Sequence, residues 1–128
     1  MREKELFEYL KKSYLFDLEL AEDSFSKWDC ISHKFKLLIE LKSRRTHYDT
    51  LLIEKIKYDS LTKRASALGY APLYINHTPE GIFSFRLNEL DLEWETNTKN
   101  PATSEFANKL RIPKTVSYIS VSLAKKIK

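Results

Sequence analysis

Disulfide chemistry is the first thing this sequence lacks. Cys30 is its only cysteine, which excludes an intrachain disulfide and a Cys-rich zinc site and suits a reducing, cytoplasmic setting. Long apolar runs are also missing: none approaches the roughly 20 residues of a bilayer span. The charged opening MREKELFEYLKK has no signal-peptide layout, so no membrane partner is expected. With only 2 glycines and 4 prolines in 128 residues, there is no low-complexity linker, and no repeat is evident. Residues 1–128 are therefore expected to form a single domain, long enough to bury a core without a covalent or metal staple.

Acidic residues thin out toward the C-terminus. The net charge is +4, and residues 99–128 carry seven Lys/Arg against one Asp/Glu. This basic C-terminal extension, with Lys109, Arg111, Lys114, Lys125, Lys126 and Lys128, reads either as a surface for a polyanion or as a solvated tail. His33 and His77 fall near expected turns and lack ligand spacing, so both read as surface residues. Trp28, Trp94 and Cys30 read as packing residues.

What is present is strong periodicity. Leu6, Phe7, Leu10 and Tyr14 recur at helical spacing, and the inward stripe takes in Glu3. SKWDCIS (26–32) and FKLLIELK (35–42) read as two strands around a polar turn near His33 and Lys34. Leu52, Ile56, Leu61, Ala65 and Leu68 predict a second helix from Asp49 to Leu68, with Gly69 as its C-cap. APLYINHT and GIFSFRLNEL predict a second hairpin around PEG. The order helix, hairpin, helix, hairpin implies an α/β domain with a mixed sheet. Beyond it, LEWETNT suggests a strand, SEFANKL a short helix, and TVSYISVSLAKK a strand or a helix.

The chemistry concentrates in KFKLLIELK. Alternation puts Phe35, Leu37, Ile39 and Leu41 on one face and Lys36, Leu38, Glu40 and Lys42 on the other. A hairpin turning about Lys34 and Phe35 sets Asp29 opposite Glu40, where Cβ atoms are about 4.5–5.5 Å apart. Two carboxylates so close repel, and a divalent cation between them would remove the repulsion; oxygen donors suit Mg2+, with Mn2+ as a substitute. Without metal, Asp29→Asn is accordingly expected to raise thermal stability. Lys42 is placed to hold a water or a phosphate oxygen. The alternative is an ordinary Glu40–Lys42 pairing on a solvated sheet face. Beyond this strand, Arg44, Arg45, His47 and Tyr48 form a polar loop suited to a DNA backbone, and Lys57 and Arg64 lie seven positions apart on one helix face.

Asp29, followed after ten residues by Glu40-Leu41-Lys42, resembles the signature of the PD-(D/E)xK nuclease superfamily, with Trp28 in place of the proline. Glu3-Lys4-Glu5-Leu6-Phe7 is similar to the first helix of archaeal-type Holliday-junction resolvases. Leu68-Gly69-Tyr70-Ala71-Pro72-Leu73-Tyr74 and Gly81-Ile82-Phe83-Ser84-Phe85 resemble their later helix end and strands. The resemblance spans roughly residues 3–90. It implies a restriction-endonuclease-like core, a mixed central β-sheet flanked by helices. It also implies a magnesium-dependent DNA endonuclease, with structure-selective, resolvase-like action from the narrower match.

By the same resemblance, Asp29, Glu40, the Leu41 carbonyl and Glu3 would hold the metal, and Lys42 would act on the nucleophilic water. Lys57 and Arg64 would touch the scissile phosphate. Arg44, Arg45, Tyr48, Lys125 and Lys126 complete the expected DNA-contacting set. Symmetric cleavage of two strands implies a homodimer. A non-catalytic nucleic-acid or protein-binding module on the same fold is the competing functional reading.

Overall fold

The N-terminal stripe forms α1 (Glu3–Ser13) in the computed structural model, which describes residues 1–21, 28–97 and 113–128. Leu6 and Leu10, one turn apart, are fully buried. Glu3 and Glu5 occupy the first turn and Lys11 and Lys12 the last, so charge opposes the helix dipole at both ends.

Three strands follow: β1 (Glu19–Leu20), β2 (Asp29–Ser32) and β3 (Leu37–Ser43). Ser32 pairs with Leu37, leaving a four-residue loop, His33 to Lys36, in which Lys36 adopts a left-handed φ of 55°. Phe35 sits in this loop, 53% exposed, and not in the strand expected to begin there. Asp17 holds the loop from outside. Its carboxylate accepts the Lys34 N–H at 2.9 Å and the Ser32 hydroxyl at 2.7 Å, and these bonds lower its pKa.

The helix expected from Asp49 starts later. Thr50–Glu54 forms a strand, β4, and α2 runs from Lys55 to Leu68. Leu51 and Ile53 are buried while Leu52 and Glu54 are only half-buried, a period of two imposed by pairing with β8 (Lys114–Ser120). Gly69 caps α2 as expected, at φ 73°, and the Tyr70 N–H closes the turn onto the Ala65 carbonyl at 2.8 Å.

The second hairpin comprises β5 (Ala71–Thr78) and β6 (Gly81–Arg86), the latter ending in a 3-10 turn at Leu87–Glu89. LEWETNT contains β7 (Glu95–Asn97). TVSYISVSLAKK divides into β8, a 3-10 turn at Val121–Leu123 and β9 (Lys125–Lys126). SEFANKL, Lys109 and Arg111 lie outside the described residues.

One sheet has the order β1-β2-β3-β5-β6-β9, and a smaller one the order β4-β8-β7. β3 and β5 are parallel, joined by a crossover through β4 and α2; the other pairs are antiparallel. The result is a mixed α/β fold. Leu37, Ile39 and Leu41 enter the core with Leu6 and Leu10 of α1, while Leu38 enters a second core with Leu61 and Ala65 of α2. β3 is thus buried on both faces, which is why its sequence is nearly continuous in apolar residues. Each such side chain contributes about 1.5–3 kcal/mol. Trp94 packs edge-on against Tyr58 and Trp28 faces Phe7. No helix among the described residues is long and apolar enough to cross a membrane.

Candidate active site

Asp29 and Glu40 are direct partners across β2 and β3. The Leu41 N–H donates to the Trp28 carbonyl at 3.3 Å, so the next pair inward, Asp29–Glu40, is a non-hydrogen-bonded one. Side chains stand closest in such pairs, with Cα atoms about 4.5 Å apart. Both carboxylates are buried under α2. Lys42 follows on the same face, beside Asn76 of β5, as Glu40 lies beside Tyr74.

α2 answers the two negative charges with two positive ones. Lys57, Leu61 and Arg64 recur at helical spacing on the inward face. Arg64 donates to Asp29 Oδ2 at 2.7 Å, and Lys57 Nζ lies 3.5 Å from Glu40 Oε1. The expected gain from Asp29→Asn is therefore reversed: Asp29 is paired, and removing its charge would strand Arg64. Burial raises the Glu40 pKa against the pull of Lys57, with Asp29 pushing the same way as burial. Burial also lowers the Lys42 pKa, helped by Arg44 and Lys57 and opposed by Glu3 and Glu40.

The residues fit a hard divalent cation. Asp29 Oδ1 is buried with no hydrogen-bond partner among the described residues, an anionic oxygen left open beside a second carboxylate. The protein donors that meet here are two. No group of three or more His, Cys, Asp or Glu is gathered for a metal among the described residues. Glu3, half-buried at the start of α1, acts on Lys42 through its charge.

No family model and no curated protein sequence matches the chain. A solved structure does: that of Archaeoglobus fulgidus Hjc, a Holliday junction resolvase from an archaeal hyperthermophile. The TM-score is 0.61 at 17% identity, over 97% of this chain and 95% of that one. The chain has the fold of Hjc. This restriction-endonuclease-like architecture extends beyond residue 90, where the sequence resemblance stops.

On the Hjc-like frame the expected DNA contacts separate into groups. Arg45 and Tyr48 are exposed beyond β3. Arg44 turns inward, Nε donating to Asn76 Oδ1 at 2.7 Å and one amino group donating to the Leu52 carbonyl at 2.6 Å and the Tyr74 hydroxyl at 2.9 Å. It joins β3 to β4 and β5. Lys125 and Lys126, on β9, lie over the rings of Tyr14 and Phe83, and Lys125 also donates to the Tyr14 hydroxyl at 3.0 Å. His33 is exposed as expected, whereas His77 is half-buried and burial lowers its pKa.

Sequence reasoning missed Tyr74 and Asn76, which anchor the Arg44 network. Tyr74 also donates to the Leu52 carbonyl at 2.9 Å, and burial pushes its phenol up to about 12. The available signal was a tyrosine and an asparagine at alternate positions of a strand that otherwise reads as core.

Proposed function

We propose that this protein is a magnesium-dependent DNA endonuclease, selective for branched structures in the manner of a Holliday junction resolvase. One observation carries the reading: two buried carboxylates directly opposite each other, one oxygen unpartnered, with a lysine next on the same face. Asp29 and Glu40 would hold the metal, with the Leu41 carbonyl, and Glu3 would join through water. A bound Mg2+ or Mn2+ supplies charge neutralisation at a phosphate oxygen and a more acidic water. Lys42, next on the same face with its pKa lowered by burial, would offer donors to an attacking water and where negative charge develops. Arg45, Tyr48, Lys57, Arg64, Lys125 and Lys126 serve the DNA backbone. Arg44 acts behind them, holding the loop.

The protein works as a homodimer, since paired cuts need two sites. Buried, unpaired Cys30 suits a reducing, cytoplasmic setting. The competing reading is a binding module that keeps the fold, and the ion pairs on both carboxylates favour it, because they balance the site without metal.

Cleavage of linear, nicked and four-way DNA by the purified protein in Mg2+ tests the proposal. The four-way substrate is expected to be cut, with Asp29→Asn and Glu40→Gln each inactive though folded. Retained cutting in either variant removes the metal-site argument. Binding without cutting by the wild type selects the module.

A further inference from the structure

The pairing between α2 and the carboxylates has a geometry of its own. The side chains of Asp29 and Glu40 are 3% and 6% exposed, and those of Arg64 and Lys57 are 26% and 34% exposed. The cation is thus the more exposed member of each pair. Arg64 engages one Asp29 oxygen in a short, charge-assisted bond and leaves the other bare. With Lys42 beside Glu40, and Glu3 acting on Lys42 through its charge, three cationic side chains already offset three carboxylates. A divalent ion added to that set would bring uncompensated positive charge into a desolvated place. Arginine cannot leave by losing its proton; it has to move.

We infer that Arg64, assisted by Lys57, is a built-in counter-ion whose charge opposes a divalent cation at the open Asp29 Oδ1, so that the cation must push the guanidinium off Oδ2 and the two compete for the charge of one carboxylate. This rests on Asp29 and Glu40 forming the metal site. The pair keeps the buried carboxylates balanced while no metal is bound and weakens metal affinity below what the two carboxylates alone would give. Displacement releases a guanidinium, half-exposed on the helix face above the site, to another anion.

Titration with Mn2+ alone, by calorimetry, tests the competition without cleavage. Arg64→Gln is expected to bind Mn2+ about tenfold more tightly than wild type, equivalent to about 1.4 kcal/mol. Arg64→Lys should stay near wild type, and Asp29→Asn should lose the site. In EDTA, Arg64→Gln should melt below wild type and recover more of its Tm on adding metal. Because that variant removes the partner of a buried carboxylate, an independent reading comes from wild-type protein labelled with 15N-arginine. The Arg64 Nη1 resonance, held in the bond to Asp29 Oδ2 without metal, should shift and exchange fast when Mg2+ saturates the site. Equal Mn2+ affinity in wild type and Arg64→Gln, or an Arg64 resonance unmoved by saturating Mg2+, overturns the competition and leaves the metal site standing. Absence of Mn2+ binding in both proteins overturns the metal site itself and the inference with it.

Discussion

Cys30 shows how burial sets the chemistry of one residue. Its thiol is fully buried, and burial, then the charge of Asp29, pushes its pKa to about 12. The thiolate is the reactive form, so iodoacetamide at pH 8 should leave the native protein unmodified and label it promptly in urea. Fast labelling in native buffer would contradict this burial. Asp17 shows the opposite shift. Its pKa is lowered by the Lys34 N–H and the Ser32 hydroxyl. A carboxylate depressed in the folded state stabilises above its unfolded pKa, about 3.9, and loses that contribution as pH falls through the folded value. Asp17→Ala should therefore lower the Tm at pH 7, and its gap to wild type should close as pH drops below about 4. A gap that persists at lower pH would show that the bonds do not depend on charge. Asp29 opposite Glu40 was legible because a hairpin register follows from local alternation and loop length. Arg64 on Asp29 was not, since nothing in the residues around position 64 says which strand its helix will cover.

The same distinction holds for whole elements. α1, both hairpins and the Gly69 cap follow from short-range pattern, and each is present, although the strand expected from Phe35 begins at Leu37 and the one expected over 81–90 ends at Arg86. Thr50–Glu54 was misread because Leu52 and Ile56 fit a helical stripe, although Leu52 is half-buried and Ile56 exposed. Its strand character depends on β8, more than sixty residues away, and on the Arg44 network that reaches the Leu52 carbonyl. That network joins the two sheets, and α2 starts directly after β4, so it also sets how α2 lies over Glu40. Tyr74→Phe deletes the hydroxyl shared by Arg44 and the Leu52 carbonyl, and should cost about 1–3 kcal/mol. Arg44→Ala should cost more, because the Tyr74 hydroxyl, the Asn76 carbonyl oxygen and the Leu52 carbonyl all lose a donor. Urea unfolding with an unchanged m-value is the measurement. Wild-type midpoints in both variants would mean that the network carries no stability.

At the scale of the molecule, charge and chain order both matter. Lys125, Lys126 and Lys128 form an exposed basic strip on and beside β9. If they meet phosphates, Lys→Gln at all three should flatten the dependence of log affinity on log salt by roughly 0.9 per contact, about 2 to 3 units in all. The maximal cleavage rate should barely change. Substitution is the right test here, since truncation at Ala124 would also strip β9 from β6. An unaltered slope would move the DNA path to Arg45, Lys57 and Arg64. The position of β8 has a further consequence. Sandwiched between β4 and β7, it comes from residues 114–120 and completes a pairing begun at residue 50. On the ribosome, the Asp29–Glu40 hairpin emerges early, yet β4, which leads into the helix that neutralises it, has no sheet partner until residues 114–120 have been made. Such long-range pairing is slow to form, so a nascent chain carries its two carboxylates well before it can assemble the site around them.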